Sequence, residues 1–143
     1  MSSVDDISEM FSGESAKLEN LISTAKSDLS IHEIVELYYQ VMNVSSMISM
    51  IKQQLNVTEH KALLDKISHT EQIISDNFNP TIHPKIVKQL TNSIQEKTKT
   101  LQSNTGEKSK EEIENESKEY EELRKLMSTK EFVEQYSQGL SND

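Results

Sequence analysis

At 143 residues the chain matches one domain by the usual ~100–200-residue range. Its hydrophobic content of 34% lies below the roughly 45–50% of an average globular domain, an average that counts glycine. Three Gly and two Pro are too few for a β-sandwich or barrel, which needs turn residues every ~8–12 positions. The absence of Cys removes disulfides, thiolate metal sites and cysteine nucleophiles, and fits a reducing compartment. A net charge of −9 argues against a nucleic-acid partner, because phosphate neutralisation needs clustered Lys and Arg. No apolar run approaches the ~18–20 residues of a membrane span, and Met1 to Asp6 reads as neither a signal nor a transit peptide.

The first predicted helix carries Val4, Ile7, Phe11, Leu18, Leu21 and Ala25 on one face. Glu14 interrupts that stripe. Gly13 beside it costs ~1 kcal/mol relative to Ala in a helix interior, so the helix is expected to break or fray there. Ser27, Asp28 and Ser30 form a turn-like cluster, and Ser30 with Glu33 reads as a capping box.

The second helix, Ile31 to Leu55, is the most apolar segment. Ile34, Tyr38, Val41, Ile48 and Leu55 make one stripe; Leu37, Val44 and Ile51 make a second. Val35, Met42, Met47 and Met50 fill between them; the methionines suit an adaptable surface, with ordinary core filling as the preferred reading. A helix apolar over so wide an arc belongs inside a bundle or under a partner.

Thr58 is the expected N-cap of a third helix over 59–76, buried through Leu63, Leu64, Ile67, Ile73 and Ile74. Asp76 to Pro84 reads as the clearest loop, because Pro80 and Pro84 disfavour helical geometry at Asn79 and His83. Pro84 suits the first turn of a fourth helix, which runs to about Gln102 on Val87, Leu90, Ile94 and Leu101 and ends at Ser103 to Gly106.

The last helix, from about Glu107 to Gln138, is highly charged. Glu114 with Lys118 and Glu121 with Lys125 are ordered as i, i+4 ion pairs. Ile113, Tyr120 and Met127 repeat every seven residues, as do Leu126, Val133 and Leu140 one residue out of step. This reads as a coiled-coil arm with a seam too thin to hold the helix alone. The fold expected is all-α, an elongated helical bundle or coiled coil of about four to five helices without a sheet. Residues 1–103 would form the bundle segment and residues 104–143 the charged arm.

Sites for chemistry are sparse. His32, His60, His69 and His83 lack metal-ligand spacing: His60 and His69 fall on opposite helix faces, and His32-Glu33 has no second His. They read as solvated or capping histidines. Nucleotide-binding and hydrolase motifs are missing, and the adjacent acids Glu111 with Glu112 and Glu121 with Glu122 diverge on a helix and read as a solvated face. The N-x-[ST] triplets at Asn43, Asn56 and Asn115 read as chance. The expectation is a protein without catalytic, cofactor or metal residues. Partner docking is assigned instead to the aromatic and aliphatic residues at the C-terminal end, Leu123, Leu126, Met127, Phe132, Val133, Tyr136 and Leu140, with the equal alternative that Phe132 and Val133 close the chain's own bundle.

Three pieces carry a family resemblance. Ala62-Leu63-Leu64-Asp65-Lys66-Ile67 is followed by Ile73-Ile74; Pro84 and Leu90 lead a polar helix; Glu116-Ser117-Lys118, Tyr120 to Lys125 and Ser128 to Val133 precede Tyr136. Over residues 61–140 the chain resembles the dynactin subunit 3 family, the small helical subunit of the dynactin shoulder. It departs from that family in lacking much of the N-terminal coiled coil, in small gaps between the second and third pieces, and in an aromatic displaced by one position after Phe132-Val133. The resemblance implies a non-catalytic structural subunit, cytoplasmic and cytoskeleton-associated. Such a subunit packs with dynamitin and the sidearm of dynactin's largest subunit in support of dynein-driven microtubule transport. The alternative is a helical scaffold subunit of another assembly, such as a kinetochore, Mediator or vesicle-tethering complex, the first two placing it in the nucleus.

Overall fold

A computed structural model describes residues 3–25, 28–103 and 106–141. Ser27 of the predicted turn cluster, with Asn104 and Thr105 of the predicted fourth-helix end, lies outside them. The fold is all-α: α1 (Val4–Thr24), α2 (Ile31–Gln54), α3 (Lys61–Ile73), α4 (His83–Ser103) and α5 (Lys110–Ser141). No strand occurs among the described residues. The chain divides into two compact units, residues 1–84 and 85–143.

In the first unit both leading helices start on capping boxes. Ser3 Oγ accepts from the Asp6 N–H while the Ser3 N–H donates to the Asp6 carboxylate, and Ser30 and Glu33 do the same at α2. Each pairing satisfies two N–H groups that a helix start leaves open. The Ser30 hydrogen bonds hold the Glu33 carboxyl below its ordinary value.

Gly13 does not break α1. The helix runs through it, with the glycine exposed, because Phe11 and Leu18 on the opposite side are fully buried. Burying a large apolar side chain contributes roughly 1.5–3 kcal/mol, more than the glycine costs. Glu14, the interruption in the apolar stripe, has a structural task. Its Oε2 accepts from Gln40 Nε2 at 2.8 Å and Asn43 Nδ2 at 3.1 Å, and the Glu14 carbonyl accepts from Gln40 at 2.9 Å. The Gln40 hydrogen bond, joined by the nearby Lys17 ammonium, holds the Glu14 carboxyl below its ordinary range. This polar clasp ties α1 to α2.

α1 lies against both α2 and α3. At the α1–α3 seam Ser15 Oγ meets Thr70 Oγ1 at 2.6 Å, and Thr70 donates onward to the Lys66 carbonyl. Two buried hydroxyls thus satisfy each other. Lys66 Nζ reaches Ser8 and Ser12, and His69 Nε2 lies 3.1 Å from Glu19. On α2, Ile34, Leu37, Tyr38, Val41, Val44, Ile48 and Ile51 are buried. Met42 and Met50 are exposed, against the core-filling expectation; they fall on the side of α2 away from that row.

The start of α3 differs from expectation. Val57–Glu59 forms a 3-10 turn, and Thr58 donates to Asn56 Oδ1 instead of capping a helix. Asn56 thereby captures the hydroxyl, and α3 begins after His60 without a side-chain cap. Leu63, Ile67 and Thr70 are its buried row, which continues into Ile74 just past its end, with Leu64 and Ile73 half-buried.

The predicted loop at Asp76 to Pro84 is a π-helical segment, Ile74–Ile82, with Pro80 inside it and α4 following directly. Proline in an α-helix removes one hydrogen bond and clashes with the carbonyl four residues back. The wider i→i+5 register relieves that clash and stacks residues five apart on one face. Phe78 and His83 are such a pair, and both meet Tyr38 of α2. The Phe78 ring is edge-on at 5.2 Å, and the Tyr38 hydroxyl lies 2.5 Å from His83 Nδ1. Tyr38 and Phe78 are fully buried and His83 is nearly so. Packing around Tyr38 therefore overrides the extended preference of a residue preceding proline, and His83 takes helical angles, φ −58° and ψ −50°.

In the second unit α4 runs to Ser103 with Ile86, Leu90 and Leu101 buried and Val87 and Ile94 half-buried. Gly106 follows at φ +109°, a conformation that L side chains rarely adopt. Ser109 Oγ accepts the Glu112 N–H, and α5 starts at Lys110. Lys97 of α4 donates to Glu119 at 2.8 Å and Glu122 at 2.6 Å, while Thr100 shares a cleft with Asn115, Glu116 and Glu119. Moving back along α4 thus means moving forward along α5, so the two are antiparallel.

Candidate protein-interaction surface

α5 is where the sequence places docking, and its residues divide between a covered and an open side. Val133 is fully buried and Thr129 is buried. Leu123, Leu126, Phe132 and Tyr136 are half-buried, and burial pushes the Tyr136 phenol up to about 12. Met127 is 55% exposed and Leu140 is 37% exposed. The seven assigned residues do not form one surface: Val133 is covered by the chain itself, and Met127 and Leu140 face solvent.

Two large side chains outside that assignment join the open side. Ile113 is 56% exposed and Tyr120 is 47% exposed, and with Met127 they make a row at seven-residue spacing. At 3.6 residues per turn such a row stays on one side of a helix, drifting only ~20° per repeat. The heptad repeat was the signal that could have found them. Separately, in the first unit, Tyr39, Met42 and Met50 of α2 are exposed, and Tyr39 lines a hollow with His32, Val35, Glu36, Gln40 and Asn43. Sequence periodicity could not single these out, because α2 is apolar around most of its circumference.

The electrostatics of α5 rest on Lys97. Glu119, with Glu122 behind it, holds the Lys97 ammonium above its ordinary value, and Lys97 lowers Glu122 in return. Lys108 pairs with Glu116, and Lys130 with Glu134 at 3.6 Å. The expected Glu114–Lys118 and Glu121–Lys125 pairs are not formed among the described residues. Exposed i, i+4 partners gain so little in water that side-chain freedom competes with pairing.

Elsewhere the titratable groups are separate. His32 lies 3.9 Å from Glu36 and is exposed, as expected for a solvated histidine. His83 departs from that expectation: it is buried, and desolvation lowers its pKa. No group of three or more His, Asp or Glu that could hold a metal ion occurs among the described residues. A groove of about 580 Å³ between α2 and α3 is lined by Ser45, Ile48, Ser68, Glu71, Gln72, Ile74 and Ser75. No histidine is among these lining residues, and Glu71 is held by Lys52 at 3.0 Å. No helix among the described residues is long and apolar enough to cross a membrane.

Comparison with protein-family models, with curated proteins and with solved structures finds no match for this chain.

Proposed function

We propose that the chain is a non-catalytic helical subunit of a multiprotein assembly, and that its C-terminal helix contributes a docking surface built as a coiled-coil seam. One observation carries this reading. α5 keeps large apolar residues on its open side, Ile113, Tyr120 and Met127, within a helix otherwise dominated by charge. A heptad row left in water is a seam without its second helix. Half-buried Leu123, three residues after Tyr120 and four before Met127, borders the row, whereas Leu140 keeps step with Leu126 and Val133 and is exposed near the end of α5.

The resemblance over residues 61–140 gives the assembly a name: the dynactin shoulder, with dynamitin and the sidearm of the largest dynactin subunit as partners. In that setting the chain works in the cytoplasm on the microtubule cytoskeleton, as a structural support for dynein-driven transport.

The test is to purify the tagged chain from its native cell and identify the proteins that accompany it. Dynamitin together with an actin-related filament is the expected result; kinetochore, Mediator or tethering components would replace the dynactin reading with the broader one. Met127→Ala with Leu140→Ala separates docking from folding, because both side chains are exposed. Partner recovery should fall while helicity and melting temperature hold. Phe132→Ala with Val133→Ala should lower stability as well, since Val133 is fully buried.

A further inference from the structure

The row Ile113, Tyr120 and Met127 spans 127 − 113 = 14 residues of α5, roughly 21 Å at ~1.5 Å per residue. Its open edge is formed by Lys110, Ser117, Arg124 and Glu131, each three residues before or four after a row member, and all four are exposed. Farther round on the same side lie Glu107, Glu114 and Glu121, also exposed. None of these charges is held by an ion pair among the described residues.

That edge is polar in a specific sense: its first member is basic and its last is acidic. Turning a second α5 end to end about Tyr120 sets residues level when their numbers sum to about 240. Tyr120 then lies across from Tyr120 of the other copy, and Ile113 across from Met127. Lys110 comes level with Glu131 and Glu131 with Lys110. Arg124 falls opposite Ser117, within reach of Glu114. In antiparallel coiled coils like edges meet, so an edge that starts basic and ends acidic is complementary to itself. A parallel alignment would instead bring this edge against the side of α5 where Lys97 already occupies Glu119 and Glu122.

Resting on the reading of this row as a seam without its second helix, we infer that this face of α5 pairs with the same face of a second copy of the chain, antiparallel and centred on Tyr120. Three large side chains per copy make a contact at the small end of protein interfaces, below ~1,200 Å², where association is weak and transient. The contact is isologous, so it closes at two chains and does not propagate.

The chain contains no Cys, which makes engineered cross-linking clean. Full-length Ile113→Cys and Met127→Cys proteins, mixed at high concentration and oxidised, should yield mainly the mixed dimer. That product joins position 113 of one chain to position 127 of the other and is identified by mass. Two homodimers in place of the mixed product would mean a parallel seam and overturn the proposal. No cross-linking above that of a control, Ser128→Cys on the neighbouring row, would overturn it as well. Sedimentation equilibrium of the unmodified chain gives the second arm. Lys110→Glu and Glu131→Lys should each weaken self-association by at least about threefold, and combining them should restore it. Failure of the double variant to recover while its helicity is intact refutes the charge register. A chain that stays monomeric at millimolar concentration refutes the pairing itself.

Discussion

Tyr38→Phe removes one oxygen from the centre of the first unit and leaves the ring in place. The Tyr38 hydroxyl lies 2.5 Å from His83 Nδ1, and both residues are buried, Tyr38 fully and His83 to 7% exposure. The ring packing survives, since the edge-on contact with Phe78 at 5.2 Å involves no hydroxyl. The cost is therefore the hydrogen bond itself and the desolvated groups it served, ~1–2 kcal/mol. For a chain of 143 residues, at ~2–4 °C per kcal/mol, that lowers the melting temperature by roughly 2–8 °C. Thermal unfolding followed by circular dichroism reads it directly. Tyr120→Phe is the matched control: the same atom is deleted from a half-exposed ring on α5, and the change should stay within ~0.5 kcal/mol. If Tyr38→Phe proves as harmless as Tyr120→Phe, the Tyr38–His83 bond does not help to hold the π-helical segment against α2. Phe78→Ala at the same cluster should cost more, ~3–5 kcal/mol, because it removes a whole buried ring.

Burial holds the His83 imidazole below its ordinary value near 6.5. The unfolded chain thus binds a proton before the folded one, and this contribution to stability is present above about 6.5 and lost as pH falls through the folded value. Urea titrations at neutral and mildly acidic pH should show the loss, and it should shrink in His83→Gln. Thr70→Val should cost ~1–3 kcal/mol by stranding Ser15 Oγ in the α1–α3 seam, whereas Ser15→Ala with Thr70→Val should cost less than the sum of the singles. Non-additivity absent from that cycle would mean the two hydroxyls are independent. Glu14→Ala should destabilise by about 1–2 kcal/mol through the Gln40 and Asn43 bonds. Lys97→Met should cost under ~1 kcal/mol, since Glu119 and Glu122 are largely solvated, and the difference should fade in high salt.

Most of the helices are legible from local pattern. Period-3.6 apolar spacing and the Ser30–Glu33 pair placed α2 within a residue of its observed ends, and the lack of alternating segments removed sheets. Local hydrogen bonding is written locally, so a cap can be read from four consecutive residues. Local pattern fails where a distant contact outweighs a local preference. Gly13 stays helical because Phe11 and Leu18 are buried on the far side of its helix. Asn79-Pro80 and His83-Pro84 read as a loop, yet they are helical because Tyr38, some forty residues earlier, gathers Phe78 and His83 onto one face and the π register admits the proline. The candidate surface divides the same way. Seven-residue spacing marked Ile113, Tyr120 and Met127 as one row, but spacing is silent on which row is covered. That choice was made by the packing that buries Val133 and by the Lys97 bridge to Glu119 and Glu122, interactions between side chains that lie next to each other only after the chain has folded.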